Sequence, residues 1–488
     1  MSERPNILMI MVDQMPAATV GAYGHPVVRT PNIDRLAAEG VLFERCMCNS
    51  PLCVPSRASL VTGKLPGRIG AFDNGTELPA QVPTFMHHLR RAGYRTAASG
   101  KMHFIGPDQL HGLEERLTTD IYPSGFNWTP DWTAGVVRNP GSSVEKLKAA
   151  GPCRWSMQLD YDEEVQFRSL ERLRALADAD EPFFLWTSFT HPHQPYTITR
   201  EYWDRYDHAE IDLPAAPAEP IGETHPYNRW IQQHHSVDLF PPSDETVRNV
   251  RHAFYGMVSY VDDKIGTLLA ELERLGLADD TVVLFASDHG EMLGEHGMWS
   301  KRTFFDWSAR VPLVVRWPGR WARGRRVGDT VSLVDLFPTL LDLAGVDDLD
   351  VATADADGRS LRPLLEGRDA ELRPAVCEYY GEGALHPMRA VCLGRYKYVH
   401  VHTEPPLLFD LESDPLEQTD LVGRPEVAEI EAELRDVALT DWDPAEMERD
   451  VIASQQARKL ILEAQAKGKP VSWDHRPGFD PSQQYVRD

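Results

Sequence analysis

The run Pro5-Asn6-Ile7-Leu8-Met9-Ile10-Met11-Val12-Asp13-Gln14 decides how the rest of the chain is read. Its apolar stretch, Ile7 to Val12, spans six residues and stops at an acid. A secretory signal core and a membrane span both need longer apolar runs, so a buried strand is the reading that remains. Similar short runs recur at 41–45, 95–99, 182–189, 281–287 and 311–316. Helical patterns lie between them, at 31–39, 56–62, 84–92, 162–177, 245–275 and 333–343. Strands alternating with helices predict an α/β fold: a large, mostly parallel sheet sandwiched by helices. In such sheets ligands sit beyond the carboxyl ends of the strands, so the residues just after each run are the candidates for function.

The pattern changes after Gly345. Residues 346–370 are acidic and poor in apolar side chains. Four short strands are then predicted at 375–380, 388–393, 396–401 and 407–411, with no helix between them. These predict a small C-terminal antiparallel sheet, followed by helices at 427–437 and 445–467. The expected division is a catalytic domain over 1–345 and a smaller α+β subdomain with a helical tail over 346–488. Residues 207–243, rich in Pro and His, show no clear period; an unpatterned stretch of that length is usually functional or mobile. No internal repeat is present.

The 488 residues include 42% hydrophobic and 25% charged side chains, a composition that folds into a large core. The net charge of −24 argues against nucleic acid as a partner and disfavours anionic membranes, since both recruit clustered Lys and Arg. Six cysteines, at 46, 48, 53, 153, 377 and 392, are too sparse for a disulfide scaffold. Cys46-Met47-Cys48 is not a CxxC pair. A cytoplasmic enzyme with reduced thiols is expected, with one cysteine set apart below.

Two acidic sites satisfy the strand-end criterion. The first run ends in Asp13-Gln14, and the run 281–287 ends in Asp288-His289-Gly290. A lone Asp after a strand most often caps a turn. Two of them, on adjacent parallel strands and accompanied by an imidazole and an amide, suit a hard divalent cation. The third piece is Ser50-Pro51-Leu52-Cys53-Val54-Pro55-Ser56-Arg57-Ala58-Ser59-Leu60-Val61-Thr62-Gly63. Pro55 fits the first turn of a helix, which puts Cys53 just before its N-terminus, where free N–H groups and the dipole favour an anion. Arg57, one turn in, can reach back to the same spot.

Cys53-x-Pro55-Ser56-Arg57, followed by Ala58-Ser59-Leu60-x-Thr62-Gly63, resembles the signature of type I sulfatases, a branch of the alkaline phosphatase superfamily. The resemblance runs along nearly the whole chain. It includes Pro5-Asn6-Ile7-Leu8, Thr30-Pro31-Asn32-Ile33-Asp34-Arg35-Leu36, Gly100-Lys101-Met102-His103, Thr190-His191-Pro192-His193, Ser287-Asp288-His289-Gly290, Lys301 before Phe304-Phe305, and Leu408-Phe409-Asp410-Leu411. Gln14 and His289 stand where many arylsulfatases have Asp and Asn, and in this the chain is similar to choline sulfatases and phosphonate monoester hydrolases. The runs 101–112, 117–123 and 125–131 resemble the choline sulfatases more closely.

That resemblance implies an alkaline-phosphatase-like sandwich and a cysteine, Cys53, oxidised to formylglycine by a maturation enzyme. It implies one divalent metal ion, calcium first with magnesium or manganese as alternatives, held by Asp13, Gln14, residue 53, Asp288 and His289. In the implied mechanism one hydroxyl of the aldehyde hydrate attacks sulfur, and loss of the second hydroxyl's proton later expels sulfate. Arg57, Lys101 and Lys301 neutralise the sulfate, His191 protonates the leaving alcohol, and His103 is the base for release. A quaternary ammonium would be held by Trp128 and Glu378, with Trp132 close by. The expected substrate is a small alkyl sulfate ester such as choline sulfate. The alternative is a phosphonate monoester or phosphodiester on the same scaffold, and a homodimer or homotetramer is expected. The acidic surface does not oppose this: its field is screened beyond about 8–10 Å, and a zwitterion is neutral overall.

Overall fold

The computed structural model describes residues 4–346, 348–469 and 472–477. Strand β1, Asn6–Val12, lies at the middle of an eight-stranded sheet, and Ile7 to Val12 are fully buried. The other strands, in chain order, are β2 (Val41–Met47), β3 (Arg95–Gly100), β4 (Glu115–Arg116), β5 (Gly151–Cys153), β6 (Phe183–Ser188), β7 (Thr197–Thr199), β8 (Thr281–Ser287), β9 (Arg310–Arg316) and β10 (Arg325–Ser332). The large sheet runs β10-β2-β9-β8-β1-β6-β3-β4, while β5 and β7 form a separate parallel pair. All pairings in the large sheet are parallel except those of β9, which is antiparallel to both β2 and β8.

Alternation along β1 divides the core. Ile7, Met9 and Met11 face one apolar cluster, shared with Leu60, Phe85 and Leu340 from three helices. Leu8, Ile10 and Val12 face the other, shared with Leu36, Val165 and Val258. A strand covered on both sides reads as one continuous apolar run, which is why β1 stands out in the sequence. Two strands of the large sheet went unrecognised there. β10 reads Arg-Arg-Val-Gly-Asp-Thr-Val-Ser and lies at one edge, half exposed. β4, at the other edge, has only two residues.

The second sheet is antiparallel, in the order β11 (Ala375–Tyr379), β12 (Met388–Leu393), β13 (Tyr396–Val401), β14 (Leu407–Asp410). Cys377, Tyr379, Ala390 and Val399 on it join the first large cluster, so the apolar core continues from one sheet to the other. Its far face packs Val391, Tyr398 and Leu408 against the helix Ala428–Leu439. The buried ammonium of Lys397 pins the two layers together. It donates to the carbonyl of Phe304 at 2.9 Å, to Asp306 at 2.5 Å and to Glu417 at 2.7 Å. Within the unpatterned stretch 207–243, residues Pro226–His234 form a helix, which Pro226 opens and the His225 ring caps. Among the described residues, no helix is long and apolar enough to cross a membrane.

Gly100 closes β3 with φ of +100°, and a Cβ there would lie 1.9 Å from the carbonyl oxygen of Ser188 on β6. Only glycine permits both the left-handed backbone and this close approach. Gly100→Ala is therefore expected to cost at least about 3 kcal/mol of stability, read as a lowered midpoint in urea melts.

Candidate active site

β1 and β8 are parallel neighbours, with Val12 opposite Ser287. Asp13, Asp288 and His289 therefore emerge side by side at the carboxyl edge of the sheet. The helix Cys53–Thr62 starts at this edge, and all ten of its residues are buried. Cys53 is its first residue, rather than the one before it. Ser56 Oγ donates to the Asp288 carbonyl at 2.6 Å. Arg57 donates from Nε to Asp288 Oδ2 at 2.8 Å, and from Nη1 to the Lys101 carbonyl at 2.6 Å and to Ser188 Oγ at 3.0 Å. One guanidinium thus ties the ends of β8, β3 and β6 to the helix, leaving Nη2 buried and without a partner.

Ligand atoms of Asp13, Cys53, Asp288 and His289 lie within 4.8 Å of one another, and all four residues are buried. Cys53 Sγ is 3.1 Å from His289 Nε2 and 3.9 Å from Asp13 Oδ1. Burial and the Asp288 carboxylate push Asp13 up to about 7 despite the adjoining Lys101. Burial works in the same direction on Asp288, but His289 in its protonated form, together with Arg57 and Lys101, outweighs it and holds that carboxyl below the usual range. Burial lowers His289 to about 4, so it is a neutral imidazole. Two carboxylates crowded in a buried site beside a neutral imidazole form a donor set that fits a divalent cation, whose charge relieves the repulsion that raises Asp13. Gln14 stands beside this group. Its carbonyl oxygen contacts Lys301 Nζ, and its amide nitrogen contacts Gln194 and Glu291.

A cavity of about 880 Å³ opens over Cys53, with Tyr122, Trp128, His193, Lys301 and Glu382 on its walls. Lys101 contacts Asp13 and lies over the Tyr122 ring, 4.7 Å from its centroid. Burial alone would lower its pKa, but Asp13 prevails and raises it. His103 packs edge-on against Trp128 at 5.5 Å, and neither of its buried ring nitrogens has a partner. Burial, then Lys101 and Arg57, push its pKa well down.

Neither Lys101 nor His103 lines the cavity itself, and two further expected residues, His191 and Glu378, are placed away from it. His191 is not on the cavity wall. Asp162, on the helix Met157–Leu176, takes its backbone N–H at 2.9 Å and its Nδ1 at 2.7 Å, and its ring packs against Tyr260. Its neighbour His193 faces the cavity instead, with Nε2 2.9 Å from Lys301 Nζ and Nδ1 2.7 Å from the Gln194 carbonyl. Glu378 is also absent from the wall. It pairs with Arg389, directly opposite it on β12, and accepts from the Gly67 N–H at 2.8 Å. Two carboxylates are on the wall: Asp131, which pairs with Lys459, and Glu382, past the end of β11. One of its oxygens binds Arg302 at 2.8 Å, and the other is buried without a partner. Both His193 and Glu382 lie just beyond strand ends, where a strand-end criterion could have found them.

A family model described as Sulfatase matches residues 5–346, and the chain belongs to that family. Two further models match its C-terminal part: N-sulphoglucosamine sulphohydrolase, C-terminal, over 294–442, and Choline sulfatase enzyme C terminal, over 449–488. The chain is 41% identical over 499 residues to the choline-sulfatase of Rhizobium meliloti (strain 1021), covering 99% of this chain and 96% of that one. It is 30% identical over 475 residues to an arylsulfatase of Clostridium perfringens, covering 91% and 95%. The solved phosphonate monoester hydrolase of Agrobacterium radiobacter superposes with a TM-score of 0.72 at 27% identity, covering 90% of this chain and 95% of that one. The chain is thus a sulfatase enzyme.

Proposed function

We propose that this sulfatase hydrolyses a small alkyl sulfate ester whose alcohol carries a cation, with choline sulfate as the reference substrate. The observation that carries this reading is a single cavity with two unlike ends. Its floor joins Cys53 to Lys301, and its wall offers the Trp128 and Tyr122 rings and the partnerless oxygen of Glu382. Lysines suit the sulfate, and aromatic faces with a carboxylate suit a quaternary ammonium, which has no proton to donate. The 41% identity to a choline-sulfatase supports the same substrate.

Oxidised to its aldehyde and hydrated by water, residue 53 would supply a geminal diol, one hydroxyl for attack and one for release, while Asp13, Gln14, Asp288, His289 and residue 53 would hold a divalent cation whose charge would lower the diol's pKa. Calcium is the first choice, with magnesium or manganese as alternatives. Lys101 and Lys301 hold the sulfate oxygens from two sides. Arg57 keeps Asp288 and the Lys101 backbone in register and has Nη2 left to donate. His103, kept neutral by burial and its cationic neighbours, is available to take the proton at the release step.

His193 replaces His191 as the acid for the leaving alkoxide. Its Nδ1–H donates to the Gln194 carbonyl and its Nε2 accepts from Lys301 Nζ, so Nε2 is the atom that takes up and gives a proton once Lys301 turns to the sulfate. Burial and the lysines push its pKa well down. A sulfate bound between Lys301 and Lys101 would offset the lysines' part of this effect and so favour the proton-bearing form relative to the empty site.

We also propose that the enzyme works in the cytoplasm as a homodimer or homotetramer, after a formylglycine-generating enzyme has modified Cys53. All six cysteines are free thiols, which suits a reducing compartment. A second reading, a phosphonate monoester or phosphodiester hydrolase, is favoured by the likeness to the Agrobacterium enzyme. Turnover of choline sulfate, an aryl sulfate and an aryl phosphonate side by side separates the two. Choline sulfate is expected to have the highest kcat/KM; phosphonate turnover above every sulfate ester overturns the first reading. The mass of the peptide containing residue 53, from protein made in its native host, is expected to show an aldehyde in place of the thiol.

A further inference from the structure

The helix Pro444–Gln465 runs behind the cavity wall, and three of its side chains grip the segment that carries Trp128. Gln455 accepts from the Trp132 N–H at 3.0 Å, Arg458 donates to Thr129 Oγ1 at 3.1 Å, and Lys459 pairs with Asp131. Arg458 is the centre of this grip. Its two terminal nitrogens engage both oxygens of Asp73, at 2.6 and 2.7 Å, and both side chains are buried. Asp73 in turn shapes a tight turn by accepting from the Gly75 N–H at 2.9 Å and from Thr76 Oγ1 at 3.2 Å. Asn74, in that turn, lines the cavity and accepts from the N–H of Val54, next to the nucleophile, at 3.1 Å. A Cβ on Gly75 would lie 2.7 Å from the Thr129 nitrogen, so the turn and the Trp128 segment are pressed together.

Trp128 itself is 37% exposed, and its ring meets those of His103 and Tyr122. Its segment holds only two single-turn helices, Phe126–Trp128 and Trp132–Ala134, and takes part in no strand pairing. Its geometry must therefore come from outside. A bidentate guanidinium–carboxylate pair fixes direction as well as distance, which a point charge cannot do.

We propose that Arg458 is a positioning residue: through Thr129 and Asp73 it sets where Trp128 stands, and so how tightly the enzyme holds the organic end of its substrate. This rests on the reading that the organic end lies against Trp128.

The experiment compares the full-length enzyme with Arg458→Ala, Arg458→Lys and Thr129→Val. Hydrogen exchange of segments 126–132 and 73–76 is read alongside KM and kcat for choline sulfate and an aryl sulfate. In Arg458→Ala, exchange in both segments is expected to rise about tenfold or more, while the helix Met157–Leu176 is unchanged. KM for choline sulfate is expected to rise about tenfold, and that for the aryl ester less than about threefold. Arg458→Lys, which keeps the charge against Asp73 but not the fork, should fall between. Unchanged exchange at 126–132 in a folded Arg458→Ala protein overturns the proposal, as do KM values for the two esters that rise together. If Arg458→Ala does not fold, because Asp73 is left buried and unpaired, the milder pair decides. Unchanged exchange in both Arg458→Lys and Thr129→Val overturns the proposal. If the unaltered enzyme does not turn over choline sulfate, the substrate reading fails, and the exchange measurements still judge the grip.

Discussion

Cys53→Ala is expected to lower kcat for any sulfate ester by at least about a thousandfold, because it removes the proposed attacking group while the lysines and the other candidate metal ligands, Asp13, Asp288 and His289, stay in place. Cys53→Ser is the more informative variant. Serine has one hydroxyl where an aldehyde hydrate has two. It can accept sulfate but has no second proton whose loss expels it. A single burst of alcohol, close to one equivalent per active site, followed by a halt, is the expected time course. Steady turnover by Cys53→Ser would show that the second hydroxyl is unnecessary and would refute the formylglycine reading. The surroundings should tolerate either change, since the Cys53 side chain donates no hydrogen bond to the backbone that shapes the helix start. That start is set by Ser56 and Arg57 on Asp288, and by Asn74 on Val54.

The second large effect separates two histidines that are two positions apart. His193→Ala is expected to lower kcat for an alkyl sulfate by about 10²–10⁴-fold, the usual contribution of a general acid. An aryl sulfate, whose phenoxide leaves without help, should lose far less. His191→Ala should show no such dependence on the leaving group. It strips the buried Asp162 of one of its partners, so its signature is a lowered melting temperature with alkyl and aryl esters affected alike. A His191 variant with the larger alkyl-selective loss would reverse the assignment.

These two histidines also mark where the sequence stops being legible. That Cys53 and the acidic strand ends come together could be read because each is tied to a local signal, a motif or the end of an apolar run. His191 and His193 share one motif, and what separates them is Asp162, 29 residues earlier in the chain. The expectation for Glu378 fails for a similar reason. Nothing local says that Arg389, directly opposite on β12, consumes Glu378, whereas the register of the two strands makes it plain. The central strands were found because both their faces are buried. The edge strand β10 was not, because half its side chains meet water and the apolar run is broken. The grip of Arg458 on Asp73 spans 385 positions and leaves no trace in any window of sequence.

The reversed direction of β9 has a consequence for how such a site can be rebuilt. A parallel neighbour of β8 would require the chain to cross back to the opposite edge of the sheet before re-entering. Because β9 returns antiparallel, residues 288–309 begin and end at the working edge. Asp288, His289, Glu291, Lys301 and Arg302 therefore arrive on one uninterrupted piece of chain. Two of the four candidate cation ligands, Asp288 and His289, and one of the two lysines proposed to hold the ester can be inherited, or exchanged between relatives, as a single cassette, while Asp13 and Cys53 stay with the rest of the sheet.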